Sequence, residues 1–181
     1  MKRFLLSCAV LLLAVLVRAE TDKITALRAK AEAGNAVAQC TLGLFYSLSE
    51  GLPKDATVAA KWFRLAAEQG NAHAQCALGL LCANGDGVSK DAAEAVKWYR
   101  LAAEQGNARA QINLGVLYLT GEGVPKDVVE AYAWFQVATA VSGTAEARVR
   151  FLDLGKVMTK DQIDKADKRA RELFEKYGKK K

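Results

Sequence analysis

The side chains best suited to catalysis or metal binding in this chain of 181 residues are one histidine, His73, and four cysteines. A structural zinc site needs cysteine and histidine ligands at short, regular spacings, and a zinc protease needs two histidines one helical turn apart. A hydrolase of the nucleophile-elbow type needs Gly-x-Ser-x-Gly, and a phosphate loop needs glycines followed by lysine. None of these patterns occurs in the sequence. We therefore predict no catalytic residue, no metal ligand and no cofactor.

The N-terminus has the layout of a secretory signal peptide. Lys2 and Arg3 precede an almost wholly apolar run over residues 4–17, and Ala19 offers a small residue for cleavage. The run is shorter than the roughly 20 residues that a membrane-spanning helix needs. We predict that residues 1–19 are removed and that the mature protein is secreted or periplasmic, without stable membrane insertion. An uncleaved N-terminal membrane anchor is the alternative.

The basic excess of the chain belongs to its C-terminal tail. Removal of the leader takes away three of the 26 basic residues, which leaves 23 against 20 acidic ones. Residues 145–181 hold 12 basic and 7 acidic side chains, so the rest of the mature chain carries no basic excess. A nucleic-acid-binding domain is expected to show a basic patch on its body. We therefore predict a protein partner and no nucleic acid.

An internal repeat of 36 residues organises the mature chain. The stretch LAAEQGNA occurs at 65–72 and again at 101–108, and three rows align on this spacing without gaps. Repetition at this period is typical of a solenoid, in which each unit buries its apolar face against the next. We predict an N-terminal capping helix over 20–34, three repeats over 35–143, and C-terminal capping helices with a basic tail over 144–181.

Each row carries the signals of two helices joined by a short turn. A glycine that closes one helix is followed by an asparagine that caps the next, as at Gly70 and Asn71. Asp91 and Glu94, three residues apart, predict a capping box at the start of a second helix. Glycine also recurs inside each first helix, as at Gly79, where it costs about 1 kcal/mol relative to alanine. We predict that a neighbouring helix approaches closely at that glycine.

Aromatic and alanine residues recur on one face of each second helix. Trp98 lies three residues after Ala95 and four before Ala102, and Tyr99 lies beside this stripe. Spacings of three and four place residues on one helical face. An aromatic series of this kind could form a ligand site, but the alanine neighbours favour a packed core.

The rows resemble Sel1-like repeats, which are helix-turn-helix relatives of tetratricopeptide repeats. The pattern AQxxLGxxYxxGxGVxKDxxEAxxWYxxAAEQGNA is matched nearly residue for residue in rows two and three, and more loosely in row one. The resemblance covers residues 31–141 and implies an all-α fold, a right-handed α/α superhelix, in proteins that act as adaptors and hold other proteins. It implies no reaction. Some secreted relatives are described as β-lactamase-like, but this chain has no serine followed three positions later by lysine.

The resemblance also raises the question of disulfides, because a cysteine-rich branch of the family links the two helices of each repeat. Here Cys40 and Cys76 lie on first helices, and no second helix carries a cysteine. Equivalent positions on successive first helices should lie about 8 to 10 Å apart. Cys82 follows Cys76 on the same helix, about 9 Å along its axis. Both separations exceed the reach of a disulfide, so we predict buried, unpaired thiols.

The first helices are nearly free of charge, whereas the second helices carry several charged side chains. A helix that is apolar on nearly all sides must be covered on more than one face. We predict that the first helices line an inner groove that holds an extended or helical segment of another protein. The candidate partner-binding residues are Thr41, Tyr46, Asn113 and Tyr118. The alternatives are a structural or self-associating module, with a homo-oligomer, and, with least support, a hydrolase.

A charged helix closes the chain. Thr159 and Gln162 predict a capping box at its start. Its predicted apolar stripe consists of Ile163, Ala166, Ala170, Leu173, Phe174 and Tyr177. The predicted i,i+4 ion pairs are Asp161/Lys165, Asp164/Lys168, Asp167/Arg171 and Glu172/Lys176. We predict a charged, solvated cap, and a basic surface for anionic lipid or an acidic partner is the alternative.

Overall fold

The computed structural model describes residues 22–48 and 52–177, and in these ranges every regular element is a helix. Helix α1 covers residues 22–32. The others are α2 (Ala36–Leu48), α3 (Ala56–Glu68), α4 (Ala72–Asn84), α5 (Ala92–Glu104), α6 (Ala108–Thr120), α7 (Val128–Ser142), α8 (Ala145–Gly155) and α9 (Lys160–Tyr177). The predicted all-α solenoid is confirmed. The leader, with its predicted cleavage at Ala19, lies outside the described residues.

Each row folds into one helical hairpin, and the hairpins stack in chain order. The first helices are α2, α4 and α6, which pack against the second helices α3, α5 and α7 of the same rows. Each second helix also packs against the first helix of the next row. Contacts therefore join neighbours along the chain, which is the defining property of a solenoid.

The predicted turn chemistry is confirmed between the rows. Gly70 has a φ of 87°, in the left-handed region where glycine is the least costly residue. Asn71 then caps α4, because its side-chain oxygen accepts a hydrogen bond of 3.0 Å from the backbone N–H of Ala74. Two residues thus end one helix and begin the next.

The mid-helix glycines make room for aromatic rings. A Cβ placed on Gly79 would lie 2.8 Å from a ring carbon of Tyr99, which is almost fully buried. Gly43 faces Phe63 at 2.8 Å, and Gly115 faces Phe135 at 2.6 Å, in the same way. The predicted close approach is confirmed, and the neighbour that requires it is a ring of the second helix. The aromatic series Phe63, Tyr99 and Phe135 is core, as predicted.

The capping box predicted at Asp91 and Glu94 is right in one half and wrong in the other. The carboxylate of Asp91 accepts a 2.9 Å hydrogen bond from the backbone N–H of Glu94. Glu94 does not return the bond, because the backbone N–H of Asp91 already donates to the carbonyl of Cys82 at 2.9 Å. The Glu94 carboxylate instead accepts from the indole N–H of Trp98 at 3.1 Å and pairs with Arg64 of the preceding row at 3.0 Å.

Buried glutamines connect the rows. The Gln75 amide donates to the carbonyl of Ala67 at 3.1 Å. Its oxygen accepts at 2.7 Å from Gln105, the C-cap residue of α5 in the same row. Gln39 makes the same two contacts one row earlier. Gln111 keeps only the carbonyl bond, and its oxygen is unpartnered within the described chain, because Val141 stands where the other rows have glutamine.

The last helix folds back over the third repeat. Thr159 and Gln162 form both halves of the predicted capping box. Ala166, Ala170 and Leu173 are buried, as predicted, whereas Phe174 is 42% exposed, so its place in the apolar stripe is wrong. Helix α9 packs chiefly on α7, and its Ala166 shares an apolar cluster with Leu154 of α8. Its C-terminal Tyr177 reaches Glu104 of α5 at 3.0 Å. Phe174 lies at the edge of the contact, beside Val137 and Ala140 of α7.

The structure corrects the predicted ion pairs of α9. Asp161 and Lys165 form theirs at 2.6 Å. Asp167 instead accepts from Gln136 of α7, and Glu172 accepts from Arg169. Docking of α9 on α7 brings Gln136 to Asp167. The partner of Glu172, Arg169, lies one turn earlier on α9 itself.

Row three is adapted to receive α9. Ala133 and Val137 are buried on α7, at the positions where α5 has Lys97 and the 45% exposed Leu101. A lysine at 133 would place a charge beneath α9. The small and apolar substitutions in this row therefore explain why α9 packs here and not on an earlier second helix.

Candidate binding groove

A groove crosses the three first helices. It encloses about 740 Å³ and runs over α2, α4 and the start of α6. We call it the first-helix groove. Its residues used below are Cys40, Leu44, Leu48, Phe63, His73, Cys76, Leu80, Asn107, Arg109 and Asn113.

The apolar wall of the first-helix groove is open to solvent. Leu44, Leu48 and Leu80 are 42%, 62% and 41% exposed. Helices α2 and α4 carry no acidic or basic side chain apart from His73, so little hydration compensates for this surface. Clustered exposed leucines in a concave site are typical of a surface that binds an apolar ligand.

Two thiols form part of the groove floor. Cys40 and Cys76 are unpaired and buried, each 6% exposed. Burial raises the pKa of both thiols, that of Cys76 to about 11. Since the thiolate is the reactive form, these cysteines act as small apolar groups at neutral pH. The third thiol, Cys82, is unpaired and fully buried.

The other end of the groove is polar and basic. Arg109 and His73 are exposed at its rim. Asn113 lines the groove beside them, close to the hydroxyl of Tyr99. Burial raises the pKa of Tyr99, so that hydroxyl stays neutral. The groove thus has an apolar end on α2 and a hydrogen-bonding, cationic end on α6.

A family model described as Sel1 repeat matches residues 36–71, 72–107 and 108–140. These three matches cover more than half of the chain. The chain belongs to the Sel1 repeat family. The fold predicted from the resemblance, a right-handed α/α superhelix of Sel1-like repeats, is therefore confirmed.

Two solved structures show the same Sel1 architecture. A protective antigen of uropathogenic Escherichia coli with an SLR fold is 37% identical, with a TM-score of 0.81, and covers 85% of this chain. This chain spans only 33% of that antigen. A Sel1 repeat protein from Oxalobacter formigenes is 38% identical, with a TM-score of 0.65 over 72% of this chain and 98% of its own. No curated protein matches the chain.

The four candidate residues of the Sel1 repeats do not come together. Asn113 lines the first-helix groove, whereas the Thr41 hydroxyl donates to the carbonyl of Val37 in its own helix at 2.8 Å. The hydroxyls of Tyr46 and Tyr118 accept from arginines outside the groove, Arg28 at 2.9 Å and Arg100 at 2.8 Å. The physical reason is that each tyrosine follows Thr41 or Asn113 by five residues on the same helix. This spacing places the two side chains about 140° apart around the helix. A partner-binding role for any of the four stays a prediction.

The sequence also contains the signal for residues that these predictions missed. Leu44 and Leu80 share one position of the repeat, three residues after Thr41 and Ala77. Because a helix places residues three apart on one face, the same argument that selected Asn113 also selects these leucines.

A second cavity of about 450 Å³ lies between α5, α7 and α9. The indole N–H of Trp134 on its wall is buried and has no partner in the described chain. In the preceding repeat, Glu94 accepts the equivalent indole hydrogen bond. Here Glu130 binds Arg169 of α9 instead. Docking of α9 therefore takes the acceptor away from Trp134.

The described residues contain no group of three or more His, Cys, Asp or Glu side chains that could hold a metal ion. Over the same ranges, each helix is too short or too polar to cross a membrane.

Proposed function

We propose that this Sel1 repeat protein is an extracytoplasmic adaptor that holds a segment of another protein in the first-helix groove. The observation that carries the proposal is the set of exposed leucines in a groove of about 740 Å³. Sel1 repeat proteins generally act as protein–protein interaction scaffolds. The predicted leader, cleaved after Ala19, supports a periplasmic or secreted location, and an uncleaved leader would give a membrane-anchored adaptor.

The repeats provide a matched pair of variants for the test. Leu44→Ser with Leu80→Ser removes the apolar wall of the groove. Leu65→Ser with Leu101→Ser changes two leucines of similar exposure, 45% each, that lie on second helices outside the groove. Both pairs are solvent-exposed, so substitution leaves little new buried polarity, and circular dichroism checks that each variant folds.

The measurement is affinity capture from an extracytoplasmic extract with the mature protein, followed by mass spectrometry. We expect the wild type and the second-helix variant, Leu65→Ser with Leu101→Ser, to retain the same partner proteins. The groove variant, Leu44→Ser with Leu80→Ser, should fail to retain them. Retention of the same proteins by all three forms would place binding elsewhere. N-terminal sequencing of the exported protein checks cleavage, with Glu20 as the expected first residue.

One observation favours a self-associating module as the second candidate. Helix α8 carries exposed apolar side chains, since its Val149 and Leu152 and the following Val157 are 55%, 52% and 79% exposed. Sedimentation analysis over a range of concentrations separates the two candidates. A monomer at all concentrations supports the adaptor, and a dimer that Val149→Ser with Leu152→Ser dissociates supports self-association. The β-lactamase-like hydrolase remains the least supported alternative, and no residue is proposed for it.

A further inference from the structure

The first-helix groove crosses the repeats diagonally, which gives it two different ends. From α2 it takes Cys40, Leu44 and Leu48, which extend to the C-terminal end of that helix. It then follows most of the length of α4, from His73 to Leu80, and meets α6 only at its N-terminal part, at Arg109 and Asn113. A segment lying along the groove therefore meets leucines first and polar groups last.

The charges of the groove all have one sign. The side chains that line it include Arg109 and His73 and no aspartate or glutamate. The Arg109 guanidinium makes no ion pair within the described chain. It stands in the first turn of α6, where the helix dipole adds further positive potential. This end of the groove is complementary to a negative charge.

The size of the groove sets the length of the segment. Two steps between neighbouring first helices span roughly 16 to 20 Å at 8 to 10 Å per step, and the diagonal offset of about 10 Å along the helix axes lengthens the path from Leu44 to Arg109 to roughly 19 to 23 Å. An extended chain at about 3.3 Å per residue covers this distance with roughly six or seven residues. The ligand is thus a short segment.

On the basis of the function proposed above, we infer that the groove selects a short partner segment in which aliphatic residues lie four to six positions from an aspartate or glutamate. The aliphatic side chains occupy the wall of Leu44, Leu48 and Leu80. The carboxylate of the acidic side chain binds the Arg109 guanidinium beside the amide of Asn113. This charge gives the segment a defined direction along the groove.

The test is a selection from a library of random seven-residue peptides displayed between two linkers, so that side chains supply the only carboxylates. The bait proteins are the mature wild type, Arg109→Glu, and Leu44→Ser with Leu80→Ser. Leu101→Ser is the control outside the groove. Because positions 37, 73 and 109 hold Val, His and Arg and are all exposed, we expect substitution of Arg109 to leave the fold intact.

We expect the wild type and Leu101→Ser to enrich peptides with aliphatic residues and one Asp or Glu. Arg109→Glu should enrich Lys or Arg in place of the acid. It should bind the wild-type peptides about fivefold more weakly, because loss of an exposed ion pair costs up to about that factor and the new carboxylate repels the acid. Arg109→Lys should restore most of the binding.

The two ideas fail in different ways. Enrichment of aliphatic peptides without charge preference, unchanged in Arg109→Glu but lost in the leucine variant, would overturn the acidic segment and leave the groove function standing. If the leucine variant enriches the same peptides as the wild type, or if the wild type enriches none, both the acidic segment and the groove function are overturned.

Discussion

Replacement of Gly79 with alanine is expected to destabilise the protein, although alanine is the better helix former. The new Cβ would lie 2.8, 2.9 and 3.2 Å from three ring carbons of Tyr99. Carbon atoms in favourable contact are about 3.5 to 4.0 Å apart, so the ring or the helix must move by roughly 1 Å. Tyr99 is only 2% exposed, so its ring has no free space to enter.

The size of the effect follows from two opposing contributions. Overpacking of a filled core costs about 1 to 3 kcal/mol. The upper end applies because three carbons of the buried Tyr99 ring lie too close to the new methyl group. The gain in helix propensity offsets about 1 kcal/mol of this. We expect Gly79→Ala to lower the free energy of unfolding by about 2 kcal/mol and the melting temperature by about 4 to 8 °C.

The assay is urea denaturation followed by circular dichroism, in the wild-type and Tyr99→Leu backgrounds. Leucine lacks the ring carbons that the methyl meets, so Gly79→Ala should be neutral or stabilise the Tyr99→Leu protein by up to about 1 kcal/mol. The double-mutant coupling is then about 2 to 3 kcal/mol. An equal cost of Gly79→Ala in both backgrounds would refute the contact between glycine and ring as the reason for the glycine.

Three further predictions concern buried polar groups and thiols. Gln75→Leu removes the hydrogen bond to the Ala67 carbonyl and should cost about 1 to 3 kcal/mol in the same denaturation assay; an unchanged midpoint would contradict the row-linking role. The hydrogen bond from Trp98 is the main cause that lowers the pKa of Glu94. The ionised Glu94 carboxylate therefore stabilises the fold fully above the usual glutamate pKa of 4.5, and this stabilisation is lost as the pH falls through the lowered pKa. Glu94→Gln should therefore flatten the loss of melting temperature below pH 4.5, and an unchanged pH profile would argue against that bond. Alkylation of native mature protein at pH 8 should be slow, and urea should expose three reactive thiols, because burial raises the pKa values of Cys40, Cys76 and Cys82.

Much of the fold follows from local signals in the sequence. Residues that are close in sequence, or that hold the same position in each row, determine three features. These are the repeat spacing, the glycine–asparagine turn at Gly70 and Asn71, and the aromatic ring beside Gly79. Local geometry decides such features before any distant contact forms, so the three hairpins and their order could be predicted. The identity of the ring neighbour could also be inferred, since glycine and aromatic residue recur together in all three rows.

Competition between partners could not be predicted in the same way. Glu94 has the right spacing to accept a hydrogen bond from the backbone N–H of Asp91, but that N–H already donates to the carbonyl of Cys82. The Glu94 carboxylate binds Trp98 and Arg64 instead. Glu130 is similarly taken by Arg169 from 39 residues away. A hydrogen-bonding group binds the partner that packing brings closest, and packing involves residues far apart in sequence.

The sequence by itself determined the solenoid, its helix ends and an uncharged inner row of helices, because these depend on periodicity and on capping within a few residues. The tertiary structure decided which of the inner residues share a groove, since Asn113 and Tyr118 lie on different sides of α6 and only the first meets Leu80 and Arg109. It also decided that α9 docks chiefly on α7 and that Val149 and Leu152 of α8 stay exposed. The path of a chain after its last repeat depends on which surface can bury the most apolar area, and that surface exists only once the repeats have stacked.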